Sequence, residues 1–241
     1  MRYELYYWPT IQGRGEFVRL ALEEGAADYV DVARMPERTG GVRALLRLLE
    51  DAAAERPPFA APILKAGKQV IAQTANILLF LGPRLGLVPK AEATRLWVHQ
   101  LQLTIADLVT EVPDTHHPIA GGLYYHQQKR EARRRAADFR TERLPKFLDY
   151  FESVLERNRS GGRYMVGSAL SYVDLSMFQV IAGLSYAFPR AITRLKRRYS
   201  RLMDLHRRVM ERPRIAAYLA SPRRLPFSTE GVFRHYPELD G

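Results

Sequence analysis

Hydrophobic and polar positions alternate from the first residues of the chain. "YELYYW" (3–8) therefore predicts a strand whose side chains point by turns to opposite faces. The period then lengthens: "GEFVRLALEEG" (15–25) places apolar residues at helical spacing and stops at Gly25, and "ADYVDVAR" (27–34) returns to a strand. A mostly helical connection over about 42–54 follows, built on "VRALLRLLEDAAA". Two short strands, "PILK" and "QVIA", are separated by Ala66, Gly67 and Lys68, a spacing that predicts a hairpin. A helix over 74–82 ends this part of the chain.

Beyond the linker-like "GLVPKAEA" the period is helical almost to the end. The pattern predicts helices over 96–112, stopping at Pro113, over 125–157, near 171–185 and over 191–211, with "NRSGGRYMVGSAL" (158–170) as a loop. The chain thus divides near residue 85: an α/β unit over 1–84, a linker over 85–90 and an all-helical unit over 91–241.

Composition narrows the chemistry. There is no cysteine, which removes disulfides, zinc–thiolate sites and cysteine nucleophiles, so any thiol must arrive with a ligand. No apolar run reaches the roughly 20 residues that cross a bilayer, and the N-terminus lacks the apolar core of a secretory signal. A cytoplasmic protein without a membrane partner is the expectation. The net charge of +11 allows either a nucleic-acid footprint or solvated basic helix faces. Basic residues concentrate in two helical segments, 127–146 and 190–208, where acids such as Glu131 can pair with Arg135 four positions on. No nucleic-acid-binding module accompanies them, which favours solvated faces that attract small anions.

Gln73 and Thr74 stand at the head of the helix over 74–82. A helix start leaves backbone N–H groups unpaired and carries roughly half a positive charge, so a carboxylate is welcome there. A polar residue that merely caps the helix is the alternative. Pro62, heading the first hairpin strand, is either an edge-strand proline or a deliberate turn with a cis peptide. Asp114, His116 and His117 invite thought of a metal. Adjacent histidines diverge on a helix, however, and no further ligand appears at useful spacing, so no metal is expected.

Four places together resemble the soluble glutathione S-transferase family, over essentially the whole chain. "YYWPTIQGRGEFVRLAL" is similar to a tyrosine-type start, with Tyr7 in the catalytic position, Trp8 after it and Gly13-Arg14 at the helix entry. The loop is one residue longer than in the commonest members, which leaves Tyr6 as a rival on the opposite strand face. "APILKAGKQVIAQTANILLFLG" resembles the family's cis-proline, hairpin and Gln-Ser/Thr run through Pro62, Gln73 and Thr74. "YMVGSALSYVDLSMF" resembles its capping motif, in which Ser171 and Asp174 exchange hydrogen bonds. Asp107 lies where many members place an acid that reaches the ligand's amino group across a dimer interface.

The resemblance implies a thioredoxin-like domain followed by a helical bundle, in a bacterial-like member. It implies glutathione as co-substrate, a small hydrophobic electrophile as second substrate and a homodimer, with nucleic acid not expected as a partner. Gln73 and Thr74 would hold the γ-glutamyl group and the backbone of Ala61 beside Pro62 would pair with the cysteinyl part. Arg14 would meet a glutathione carboxylate or pair with an acid between domains. His117, Tyr124 and Tyr125 would shape the electrophile pocket. Tyr7 is either a core aromatic or the donor to the sulfur. Lowering a thiol from a pKa of about 8.5 to about 6.5 requires roughly 2.7 kcal/mol, within reach of one hydrogen bond to a charged group at about 1.5–3 kcal/mol. A scaffold retained for binding glutathione, protein or nucleic acid is the alternative, as is an isomerase or peroxidase on the same frame.

Overall fold

The computed structural model describes residues 1–241. Its first unit runs β1 (Tyr3–Tyr6), α1 (Gly15–Glu24), β2 (Tyr29–Asp31), α2 (Gly41–Leu49), β3 (Ile63–Ala66), β4 (Gln69–Ala72) and α3 (Thr74–Arg84). The sheet order is β2-β1-β3-β4, with β1 parallel to β2 and antiparallel to β3. β3 and β4 form the expected hairpin, Gly67 taking the left-handed φ of 62° at its turn. Alternation along β1 sends Tyr3 and Leu5 to one face, where they pack with Val18 and Leu22 of α1 and Ile77 and Leu81 of α3. Tyr6 goes to the other, against Leu45 of α2.

Three elements are shorter than the pattern predicts, the first being β1, which stops at Tyr6. β2 ends at Asp31, because Val32 and Ala33 turn beneath α2 in a 3-10 turn while Arg19 holds the Asp31 carboxylate at 2.7 Å. α2 stops at Leu49, since the following Glu50–Ala53 stretch lies exposed and has no apolar face to bury.

Residues 85–91 lead to the helical unit: α4 (Glu92–Asp114), α5 (Lys129–Asp138), α6 (Leu144–Arg157), α7 (Tyr172–Ala187), α8 (Pro189–Leu195), α9 (Ser200–Met210), α10 (Pro213–Leu219) and α11 (Pro237–Asp240). Pro113 sits in the last turn of α4 without ending it. The long helix expected over 125–157 starts in earnest at Lys129 and passes from α5 to α6 through a π-helical turn, Phe139–Arg143. The helix expected over 191–211 is broken in two, because Tyr199 leaves helical geometry to bury its ring. Glu152 of α6 then receives the N–H groups of Arg201 and Leu202 at the head of α9, 3.0 Å each. The expected Glu131–Arg135 pair does not form; Arg135 turns to Glu111 at 3.1 Å and Asp138 at 2.8 Å.

The capping exchange is present. One Asp174 oxygen accepts from both the N–H and the hydroxyl of Ser171, the other from the N–H of Met165, all at 2.7 Å. Complete burial pushes the Asp174 carboxyl up to about 6, although these three donors pull the other way.

The two units share a core and a polar seam. The main helical core takes in Phe17, Leu20 and Ala21 from α1. From Arg212 onward the chain returns to α1. Tyr218 donates to Glu16 at 2.7 Å, Arg224 pairs with Glu16 and reaches Gln179 at 3.0 Å, and Arg212 bonds Glu24 at 2.8 Å. Glu16 and Arg19 are themselves buried and paired at 3.2 Å. No helix is long and apolar enough to cross a membrane.

Candidate active site

Gln73, between β4 and α3, has a φ of 69° and ψ of 121°. A non-glycine residue held at positive φ costs about 1–3 kcal/mol, which surrounding structure must offset. The twist turns the chain directly into α3, whose first N–H groups receive no side-chain cap. The capping alternative for Gln73 and Thr74 is therefore not what the structure contains. The Ala61-Pro62 peptide is cis, and neither the N–H nor the C=O of Ala61 takes part in a backbone hydrogen bond.

These features meet in one cleft of about 580 Å³. Arg14, Ala61, Pro62, Gln73 and Thr74 line it from the α/β unit, and His99, Leu103 and Thr110 of α4 line it from the helical unit. Phe59 stands at its edge, 93% exposed. Periodicity could not single out these α4 residues, because they occupy an outward face that looks like any solvated one. Arg14 is left without a carboxylate partner; Arg19, Arg212, Arg223 and Arg224 make the pairs with acids of the α/β unit instead.

Tyr7 does not line the cleft but lies directly behind Arg14, almost fully buried. Its hydroxyl oxygen accepts the Arg14 N–H at 2.8 Å, and the Arg14 carbonyl in turn lies 3.5 Å from the Thr74 hydroxyl. The loop wraps the ring so closely that a Cβ on Gly15 would fall 2.5 Å from the ring's Cγ, and one on Gly13 would meet the hydroxyl. Burial raises the Tyr7 pKa above the usual tyrosine value, against the opposing pull of the Arg14 N–H and the nearby Arg14 and Arg19 charges. The phenol is therefore neutral at neutral pH, and its proton has no acceptor within the protein. Tyr6, by contrast, donates to the Glu4 carboxylate at 2.5 Å on the opposite face.

Other residues of interest stand elsewhere. Trp8 is 39% exposed and outside the cleft lining, and Asp107 is exposed on α4 one position beyond Ala106, which does line it. Tyr125 stacks on Tyr236 at 3.8 Å between ring centroids and donates to Glu238 at 2.9 Å; Tyr124 projects outward against His126. His117 touches His116 rather than the cleft, so these three do not gather around one pocket with Tyr7. A narrow recess beside Gly13 is formed instead by Gln12 with Phe227, Val232 and Phe233 of the C-terminal segment. No three His, Asp or Glu side chains come together in a group that could hold a metal ion.

His116 is buried with Nε2 3.1 Å from the Val232 carbonyl, and burial lowers its pKa to about 3. The unfolded chain takes up that proton near pH 6.5. Its contribution to stability is therefore full above about 6.5 and is lost as pH falls from there toward 3. Denaturant unfolding of His116→Asn is expected to show a flatter stability profile than the parent between pH 6.5 and 4.

The family model described as glutathione S-transferase, C-terminal domain, matches residues 113–222. Glutathione S-transferase P 1 of Xenopus laevis is 26% identical over 92% of this chain and 93% of its own length. Glutathione S-transferase 1 of Ascaris suum is 26% identical over 94% and 99%. Among solved structures, the Pi-class glutathione S-transferase of Onchocerca volvulus superposes with a TM-score of 0.69 at 21% identity, covering 90% of this chain and 92% of that one. The bacterial-like character expected from the sequence is not shown by these relatives, all of them eukaryotic. Matched in its helical half by the model of the glutathione S-transferase C-terminal domain, the chain is similar to glutathione S-transferases along nearly all its length and shares their fold.

Proposed function

We propose that the protein is a glutathione transferase with a tyrosine-type site, in which residues 1–84 bind glutathione and the helical unit supplies the outer wall. The observation that carries this reading is the uncapped start of α3, opening with strained Gln73 into the same cleft as unpaired Arg14 and the free backbone of Ala61. The γ-glutamyl carboxylate sits on the first N–H groups of α3, with Gln73 and Thr74 about it, and Arg14 meets a carboxylate. Ala61 pairs with the cysteinyl backbone as an added strand would.

This brings the sulfur toward the Tyr7 hydroxyl. Because that oxygen already accepts from Arg14 while its proton is uncommitted, Tyr7 donates to the sulfur and stabilises the thiolate without ionising. The electrophile, a small hydrophobic molecule, approaches the sulfur from the side of Gly13, Phe227 and Phe233. In a homodimer, Asp107 would reach the partner's bound glutathione amine, and the exposed Phe59 and Leu103 at the cleft would be covered.

Calorimetric titration with glutathione followed by turnover of 1-chloro-2,4-dinitrobenzene tests the proposal. Saturable binding and conjugation are expected; binding without turnover would leave only a glutathione-binding scaffold, and no binding at millimolar concentration would remove both. Gln73→Gly separates site from fold. Glycine relieves the positive φ, so the variant is expected to melt no lower than the parent while its glutathione Kd rises about tenfold, the equivalent of one hydrogen bond at about 1.4 kcal/mol.

A further inference from the structure

Residues 118–124, between α4 and α5, form an apolar projection. Ile119 is 58% and Tyr124 72% exposed, and Ala120, Gly121 and Gly122 between them are also exposed. The projection is held in place. Gln128, completely buried, accepts the Ile119 N–H at 2.9 Å and donates to the carbonyls of Ala120 and Leu123 at 3.1 Å each. The apolar tip is thereby fixed to the first turn of α5.

The first turns of that helix carry Lys129, Arg130, Arg133 and Arg134, all exposed. None of the four forms an ion pair. The Asp138 carboxylate of α5 is taken by Arg135, which turns inward; Glu131 is an exposed acid among the four, and Glu238 of α11, which accepts from Tyr125, lies near Lys129 and Arg133. None of these groups lines the glutathione cleft.

We propose that this face docks on an anionic lipid surface, Ile119 and Tyr124 entering the headgroup layer while the four cations of α5 meet lipid phosphates and carboxylates. Charge alone would suit nucleic acid equally, but a phosphate backbone offers nothing to an exposed Ile119, whereas a bilayer rewards both halves of the surface. Each Lys or Arg near such a surface strengthens binding about fivefold. The sequence expectation of no membrane partner rested on the lack of a spanning run, which docking does not require.

Cosedimentation of the full chain with sucrose-loaded vesicles tests this without reference to glutathione chemistry. Vesicles of phosphatidylcholine with about one-third phosphatidylserine are expected to bind the protein, pure phosphatidylcholine vesicles not, and raised salt should release it. Arg133→Glu with Arg134→Glu should weaken partitioning at least tenfold, and Ile119→Ser about threefold, each with an unchanged melting temperature. Equal binding to both vesicle types, or a charge-reversed variant that binds like the parent, would overturn the proposal. So would salt-sensitive retention on duplex DNA that is lost on charge reversal, indifferent to Ile119→Ser and unaccompanied by vesicle binding.

Discussion

Tyr7→Phe is expected to reduce kcat/KM for conjugation by about 10- to 150-fold, the equivalent of the roughly 1.5–3 kcal/mol carried by one hydrogen bond to a charged sulfur. The ring remains, so the close packing of Gly13 and Gly15 around it is preserved and the cleft keeps its shape. Glutathione should bind within about twofold of the parent affinity, because Gln73, Thr74, Arg14 and Ala61 are untouched. The pKa of the bound thiol, followed through the ultraviolet absorbance of its thiolate, should rise by one to two units. An unaltered thiol pKa would pass the donor role to a backbone N–H of the 12–14 loop. Tyr6 is poorly placed to take it, since its proton is given to Glu4.

Asp174→Ala carries the largest expected effect on folding. The substitution strands the Ser171 N–H, the Ser171 hydroxyl and the Met165 N–H, all of which now end on that carboxylate in a region without water access. At about 1–3 kcal/mol for each unsatisfied buried group, a loss of roughly 4 kcal/mol is expected, or a fall of about 8–16 °C in melting temperature for a chain of this size. Asp174→Asn keeps an acceptor oxygen and should recover part of the loss. A melting temperature within about 3 °C of the parent for the alanine variant would show that neighbouring groups replace the carboxylate.

Much of the α/β unit was legible in the sequence because its signals are local. The β3–β4 hairpin follows from two strand-like runs around Gly67; in the helical unit the Ser171–Asp174 exchange likewise follows from a local i, i+3 spacing. Gln73, Thr74, Pro62, Ala61 and Arg14 could be named in advance, and the structure brings all five to one cleft. What escaped was either conformational or long-range. The positive φ of Gln73 has no marker, since the usual sign of that geometry is glycine. The break at Tyr199 is imposed by burial of a ring beneath residues far earlier in the chain. Glu16 and Arg19 look, in sequence, like ordinary charges on α1. Only the return of residues 212–224 to that helix makes them a buried seam.

That seam bears on how such a protein can be recombined. Joining its first 84 residues to the helical half of a distant relative, a graft for which residues 85–91 offer an obvious junction, would separate Glu16 from Arg224 and Tyr218. A carboxylate would then be sealed inside with one cation in place of two. Chimaeras of this fold would therefore need to carry α1 together with residues 212–224, as a single heritable cassette split across the gene.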